Sequence, residues 1–458
     1  MFSLKDVLTA TGGSLIGRDI AGGINFTGVA IDSREAKPGM LFIPLSGEKF
    51  DGHDFIWNAA ENGAAASLTK YDLKIDMENF FLIKVDEPLI ALQNLSKYIR
   101  NRYSRIKVIA VTGSAGKTTT KNFIASVLSE RFKVLYNEGN YNNQIGMPLT
   151  IMNMEDSYDI AVLEMGMNSY GEISRLSEIA RQDMAIITNI GTAHIGKLGS
   201  RENILKAKLE ITQYLNVNNI VFLNGDDDLL KNVRGNYQVR YFGCGDNNDI
   251  RVFDIMDNKD DGMEFNVVYG TKEGHFIIRL PGRHNVFNAL PSIAVGYDLG
   301  LKWEEINSGL LKTKNEKMRL KMININDMKI IDDTYNANPD SMRVAVDYLK
   351  DVATGGRKVA ILGDMLELDV YSERYHVEIG KYCYLNGIDI VITYGTMAED
   401  IAKGAINAGM ESQYVYSFND MDKLKNSLSQ ILKCDDCILV KGSRAMKMDE
   451  IVKYLGEK

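Results

Sequence analysis

Apolar residues gather in short blocks along much of this chain, and the spacing between blocks changes twice. From about residue 105 to 240 one unit repeats: apolar block, glycine or polar turn, helix-length segment, next block. The strand candidates in this stretch end at Val111, Tyr136, Leu163, Thr188, Leu223 and Phe242. Blocks such as Val108-Ile109-Ala110-Val111 are too short for a helix and lack polar alternation, so they predict strands covered on both faces. A mainly parallel sheet flanked by helices has that property. Between about 250 and 280 the runs crowd together, Arg251 to Ile255, Gly262 to Tyr269 and His275 to Leu280, predicting a small antiparallel patch. A helix from near His284 to Leu299 follows. A second α/β rhythm starts near 313, with strand candidates Lys329 to Ile331, Lys358 to Leu362, Ile388 to Thr393, Gln413 to Tyr416 and Cys437 to Val440. Upstream, Thr27 to Ile31, Met40 to Ile43 and Phe81 to Val85 alternate with glycine-rich turns, and a basic, polar stretch around Arg100 to Lys107 leads into the central blocks. The expected class is α/β in three domains, 1–104, 105–312 and 313–458: a small N-terminal α/β unit, a central mainly parallel sheet and a C-terminal Rossmann-like section.

Length agrees with that count, since 458 residues at roughly 150 per domain leave each part large enough for its own core. Hydrophobic content of 45% and charged content of 25% are those of a soluble globular protein. A net charge of −8 argues against nucleic-acid binding, which needs a broad basic surface, so an anionic ligand must be held by local donors. Met1 to Ala10 lacks a long apolar run after a basic cluster, and no stretch approaches the ~18–20 apolar residues that cross a bilayer. A cytoplasmic protein without a membrane span is expected, with a monomer as the default state. The cysteines are too few for a disulfide framework. Cys434 and Cys437 are the one close pair; a structural zinc site needs a second pair that the chain lacks, so both are expected to pack at the start of Ile438-Leu439-Val440.

The segment Val108 to Thr119 reads strand, glycine turn, helix: Thr112-Gly113-Ser114-Ala115-Gly116-Lys117-Thr118-Thr119. Glycines let backbone N–H groups close around phosphate oxygens, the helix N-terminus adds positive potential, and the lysine neutralises the outer phosphates. The Thr118 hydroxyl can hold Mg2+. The general P-loop pattern puts a glycine where this chain has Val111, and the shorter Gly-x-x-Gly-Lys-Thr spacing matches a narrower subgroup. Glu164 ends the next strand but one, at the sheet edge where open α/β sheets keep their chemistry, and a carboxylate there can hold Mg2+ against phosphates. His194 follows another strand end at the same edge, although a lone histidine is more often structural than a ligand. Lys208, on a helix, reads by itself as a solvated surface lysine.

Together these residues resemble the ATP-dependent Mur ligases of bacterial cell-wall synthesis, over nearly the whole chain. The segment 112–119 looks like that family's ATP loop and Asn140 to Leu149 like the stretch that follows it. Gly282-Arg283-His284-Asn285-Val286-Phe287-Asn288 and Asp332-Asp333-Thr334-Tyr335-Asn336-Ala337-Asn338-Pro339-Asp340-Ser341-Met342 look like its later signatures. The resemblance implies ATP on Gly113, Ser114, Ala115, Gly116, Lys117, Thr118 and Thr119, its adenine near Asn285 and Asn288, its phosphates met by Arg319 and its ribose by Asp333. It implies a pair of Mg2+ ions at Thr118, Glu164, His194 and Lys208, the lysine carried as a carbamate. Lys117, His194, Lys208 and Arg319 are the implied catalytic set.

Within the family, the stretches Asp333 to Met342, Leu362 to Leu368 and Lys441 to Met448 are similar to the member that joins D-alanyl-D-alanine to UDP-N-acetylmuramoyl-tripeptide. The diaminopimelate-adding member usually carries an Asp-Asn-Pro-Arg motif that is absent here, though a lysine-adding relative stays open. Asp32-Ser33-Arg34 and Asp51 to Phe55 resemble the uridine-nucleotide unit of the later ligases, which implies substrate contacts from Ser33, Arg34, Gly47, Asp51 and His53. A turn capped by Asp32 and Ser33 accounts for the first of these stretches equally simply. Asn336, Asn338 and Ser341 are the implied dipeptide contacts. The implied reaction runs through an acyl phosphate in cytoplasmic peptidoglycan precursor synthesis. A folylpolyglutamate synthase-like ligase, expected to lack the uridine unit, and a non-catalytic ATP-binding regulator are the alternatives.

Overall fold

A computed structural model of the chain describes all residues except 17–22, 48, 49, 74–76, 78, 259–261, 315, 326, 327, 354 and 458. Its centre is a nine-stranded sheet in the order Lys272–Ile278, Met263–Tyr269, Ile250–Asp257, Gln238–Gly243, Ile220–Asn224, Met184–Ile187, Lys107–Thr112, Ile160–Glu164 and Val134–Tyr136. Every pairing from Ile250–Asp257 onward is parallel, and the first two are antiparallel. The expected antiparallel patch is therefore an extension of the main sheet, joined to it by the short pairing of Phe242 with Ile250 and Gly243 with Arg251.

The strand Lys107–Thr112 explains the unbroken apolar blocks. Val108 and Ala110 enter one core while Ile109 and Val111 enter the core on the other face. Burying each large aliphatic side chain is worth roughly 1.5–3 kcal/mol, so a strand covered on both faces gains most from aliphatic residues at every position. Register does the rest: Glu164 pairs with Val111 and Ile187 with Thr112, so three strands end level. The helix Lys117–Leu128 starts at that edge and packs on Arg283–Asp298.

A six-stranded sheet follows, ordered Lys321–Ile325, Met328–Asp333, Cys437–Lys441, Lys358–Gly363, Ile390–Tyr394 and Val415–Phe418. Its first pair is antiparallel and the others parallel. The edge strand Lys321–Ile325 has no fully buried residue, which is why no apolar block announced it. Cys437 is buried at the start of its strand, but Cys434 is exposed, so the expectation that both would pack there holds for Cys437 alone.

The N-terminal sheet has five strands, Ser14–Ile16, Phe81–Lys84, Ala66–Thr69, Leu41–Phe42 and Val29–Ala30. Ala66–Thr69 is wholly buried, yet its serine and threonine hide it from a hydrophobic pattern. The basic stretch from Arg100 begins inside a helix, Pro88–Arg102. Arg100 is buried, with Nε donating to the Ala180 carbonyl at 2.7 Å and an Nη to that of Tyr103 at 2.9 Å. This helix packs on Gly146–Met152 and Glu172–Ala180 of the central body, braced by Arg175 Nε on Gln93 Oε1 at 2.9 Å. Among the described residues, no helix is long and apolar enough to cross a membrane.

Candidate active site

The level strand ends open into a crevice of about 550 Å³ between the central and third sheets. On the central side it is lined by Ser114, Ala115, Gly116, Lys117, Thr118 and Thr119, and beyond them by Glu164 and His194. The Lys117 ammonium lies against the Gly113 carbonyl at 2.9 Å. Burial pushes it below the ordinary lysine range, opposed by the Glu164 charge and reinforced by Arg319. The first-turn N–H groups of the helix Lys117–Leu128 have no acceptor within the helix and face this end of the sheet. Gly116 sits at φ 78°, and a Cβ there would collide with Asn288 Oδ1, so only glycine lets the turn and the Asn285–Asn288 segment approach. Ser114 and Ala115 donate their N–H groups to Asn189, whose part in shaping the loop went unread in the sequence.

Glu164 is buried, with Oε1 accepting from Asn142 Nδ2 at 2.6 Å and Oε2 without a hydrogen-bond partner. An orphaned carboxylate oxygen is costly unless something meets it. Among the described residues no group of three His, Cys, Asp or Glu could hold a metal by itself. One carboxylate and the Thr118 hydroxyl still fit Mg2+, which takes few protein ligands and completes its octahedron with water and phosphate oxygens.

His194 has φ 65° and its Nδ1 lies 2.6 Å from Glu367 Oε2, off the line of a straight hydrogen bond. The histidine holds the Glu367 carboxyl below the usual range. Lys208 does not line the crevice, and it is not the solvated lysine its helix suggested. It is buried, and burial together with the nearby Lys117 charge drives its ammonium well below the ordinary value.

The third body supplies the opposite wall, with Arg319, Asp333, Tyr335, Asn336, Asn338, Ser341 and Lys441. Arg319 stands between two residues in the left-handed region, Met318 at φ 64° and Leu320 at φ 45°, conformations that cost non-glycine residues about 1–3 kcal/mol each. Its guanidinium lies 4.0 Å from the Tyr335 ring centroid, and its Nε is buried without a partner. Asp333 accepts from Lys441 Nζ at 2.5 Å, and Lys441 also donates to the Asn336 carbonyl at 2.9 Å. Asn338 and Ser341 cap the helix Pro339–Val352 reciprocally, Oδ1 accepting from the Ser341 N–H at 2.9 Å and Ser341 Oγ from the Asn338 N–H at 3.0 Å. Both line the crevice while committed to that cap. Asn285 and Asn288 line its far end with His284, whose ring burial holds at about 4 against the pull of Asp333.

Comparison with known proteins puts this crevice in context. Residues 25–105 match the Mur ligase family catalytic domain, 111–296 the Mur ligase middle domain and 318–444 the Mur ligase glutamate ligase domain. The UDP-N-acetylmuramoyl-tripeptide--D-alanyl-D-alanine ligase of Bacillus subtilis (strain 168) is 42% identical over 94% of this chain and 93% of its own. This chain belongs to the Mur ligase family. The corresponding ligase of Escherichia coli (strain K12) is 34% identical over 99% of this chain and 97% of its own. Crystal structure I of MurF from Acinetobacter baumannii superposes with a TM-score of 0.91 at 30% identity, covering 100% of this chain and 99% of that one. MurF from Thermotoga maritima in complex with ADP superposes at 0.81 and 28% identity, covering 94% and 97%.

In this Mur ligase the N-terminal set stands apart, for none of Ser33, Arg34, Gly47, Asp51 and His53 lines the crevice. Arg34 is exposed and paired with Asp32, which it holds at about 2. Ser33 is buried with its carbonyl accepting from Asn62. Gly47 donates its N–H to the Phe50 carbonyl at 2.9 Å. Asp51 gathers Ser46 Oγ, the His53 N–H and ring, and the Tyr71 hydroxyl. His53 Nε2 accepts from the Lys70 N–H at 3.2 Å, so Nδ1 carries the proton toward Asp51 and both ring nitrogens serve the fold of this turn. Lys441, Glu367 and Asn142, which sequence reading assigned no role, all lie within the stretches that carried the family resemblance.

Proposed function

We propose that this chain joins D-alanyl-D-alanine to UDP-N-acetylmuramoyl-tripeptide at the expense of ATP, as the curated relatives named above do. The observation that carries the reading is the meeting in one crevice of Lys117 and Glu164 from the central body with Arg319 and Asp333 from the third. A carboxylate is a poor acylating agent because its leaving group would be oxide. Transfer of the γ-phosphoryl group to the tripeptide's terminal carboxylate replaces that with phosphate, and the dipeptide amine then attacks the acyl carbon as phosphate departs. Such a step brings anions together, so charge neutralisation and alignment dominate it.

The glycine turn and the Lys117 ammonium hold the phosphates, and Arg319 adds a second cation from the other wall. Asn285 and Asn288 receive the adenine and Asp333 the ribose. Thr118 and Glu164 would hold Mg2+, which would add to the charge neutralisation at the phosphates. Buried Lys208, with its proton affinity lowered, suits a lysine that sheds its proton to bind CO2; 13C-labelled bicarbonate is expected to give a carbamate resonance that Lys208→Met removes. His194, which lines the crevice, is the candidate ligand for a second Mg2+. Asn336, Asn338 and Ser341 line the wall assigned to the dipeptide, Asn338 offering the amide nitrogen that the cap does not use, while the Ser341 hydroxyl accepts from the Asn338 N–H and donates to its carbonyl. Ser33, Arg34, Gly47, Asp51 and His53 shape the uridine-nucleotide unit, with Arg34, exposed and paired with Asp32, as its cation. The working domain boundaries are 104/105 and 312/313, the enzyme works as a monomer, and the cytoplasm, where ATP and the nucleotide substrate are made, is its place.

Phosphate release measured with ATP, Mg2+, the UDP-tripeptide and D-alanyl-D-alanine, each omitted in turn, tests the assignment. All four are expected to be required, with a product heavier by the dipeptide less one water. Release with a free amino acid in place of the dipeptide would move the chain to the preceding step of the series.

A further inference from the structure

The third body meets the central one on a short turn, residues 191–199, which leads out of the strand Met184–Ile187, and again where Glu316 accepts from Asn122 Nδ2 at 3.0 Å. Asp340 Oδ2 accepts from the Thr192 N–H at 2.6 Å and from its hydroxyl at 2.8 Å. The Glu367 carboxylate faces His194 Nδ1 at 2.6 Å, and the Glu367 carbonyl accepts from the Gly196 N–H at 3.2 Å. The Tyr371 hydroxyl donates to the Gly199 carbonyl at 2.7 Å.

The backbone on both sides is shaped for this contact. His194 and Glu367 both have φ 65° and Asp369 has φ 46°, left-handed conformations that persist only where surroundings impose them. A side chain at Gly196 would run into the Glu367 carbonyl and the Asp369 carboxylate, so the turn is as bare as close docking requires. Neither Asp340 nor Glu367 lines the crevice, but each belongs to a segment that does or that touches one that does: Asp340 lies between Asn338 and Ser341, and Glu367 holds His194.

We infer that Asp340 and Glu367 are positioning residues, a two-carboxylate latch that seats the third body on the 191–199 turn, sets the ring of His194 and brings Arg319 and Asp333 over the crevice. Polar pairs suit a contact that must open and close, because each carboxylate finds water when released, whereas an apolar face of the same size would stay shut. The catalytic consequence rests on the ligase reading above; the docking does not.

The test uses the full chain with Asp340→Ala, Glu367→Gln, Thr192→Val and the double variant Asp340→Ala/Glu367→Gln. Small-angle X-ray scattering without nucleotide and with ADP reads docking independently of turnover. The double variant is expected to show a larger radius of gyration than the wild type without nucleotide. In the phosphate-release assay kcat is expected to fall at least tenfold while the KM for the UDP-tripeptide, bound on another body, stays within twofold. Thr192→Val keeps the backbone bond to Asp340 and loses the hydroxyl one, so it should show part of the Asp340→Ala loss, and the two together should lose no more than Asp340→Ala alone. Glu367→Gln keeps shape and removes only charge, so it serves if the double variant fails to fold. Scattering that superposes on the wild type with kcat within twofold overturns the proposal. A chain inactive with every substrate would remove the ligase reading and leave the scattering result to decide the latch.

Discussion

Lys441 and Asp333 form an ion pair under the wall of the crevice, their side chains only 2% and 12% exposed. Lys441→Met removes the cation and two hydrogen bonds, to Asp333 Oδ2 and to the Asn336 carbonyl, and strands a carboxylate inside the protein. Breaking a buried pair on one side costs about 3–5 kcal/mol. For a domain of this size each kcal/mol moves the melting point by roughly 2–4 °C, so the transition of the third body should fall by about 6–20 °C. The double variant Lys441→Met/Asp333→Asn removes the stranded charge, while the side chain at 333 still accepts from the Leu320 N–H as Asp333 does at 3.2 Å. Its expected cost is about 1–3 kcal/mol, the loss of hydrogen bonds without an uncompensated charge. Differential scanning calorimetry of the four proteins in the cycle supplies the comparison. The reasoning is refuted if the double variant is as unstable as the two single losses added together, for then the two side chains do not act on each other.

Other expectations follow from single atoms. Gly116→Ala should keep the fold and lose binding of a non-hydrolysable ATP analogue by at least about tenfold, read by isothermal titration, because its Cβ meets Asn288 and its φ is left-handed. Arg319→Ala should cut kcat by about 10²–10³, and Arg319→Lys should restore little of it, since an ammonium can neither stack on Tyr335 as the guanidinium does nor present a planar fork. Lys208 has a folded-state proton affinity well below the ordinary 10.5, so the unfolded chain binds that proton more strongly and stability rises as pH climbs toward 10.5. In bicarbonate-free buffer Lys208→Met should therefore melt above the wild type at neutral pH, with the gap closing toward pH 10.5, and a gap of constant size would contradict the buried cation.

Most of the crevice was legible before any fold was known, because its parts are local. A glycine turn between an apolar strand and a helix has one inexpensive conformation, and Gly113 to Thr119 announces it in a few residues. Strand ends carrying Glu164 and Thr188-Asn189 were equally plain, since a parallel sheet needs unbroken apolar blocks and a polar residue closes each one. Short strands such as Ser14–Ile16 escaped notice, as did Lys321–Ile325, which buries no residue fully, and Ala66–Thr69, which packs serine and threonine into a core.

What the sequence by itself determined, then, is the order of strands and helices, the phosphate turn, and which polar residues end up at the carboxyl edge of each sheet. Tertiary structure alone decided which charges are buried and with whom. Lys208, Lys121, Lys441 and Arg100 look like surface cations in sequence, yet all four are buried. Nothing within a few residues of Lys441 tells that Asp333 will face it, or that Glu367 will cross to His194, because these pairs join residues more than a hundred positions apart. Propensity and periodicity act over a turn of helix or a few residues of strand, whereas desolvation and Coulomb attraction depend on what the folded chain brings within a few ångströms.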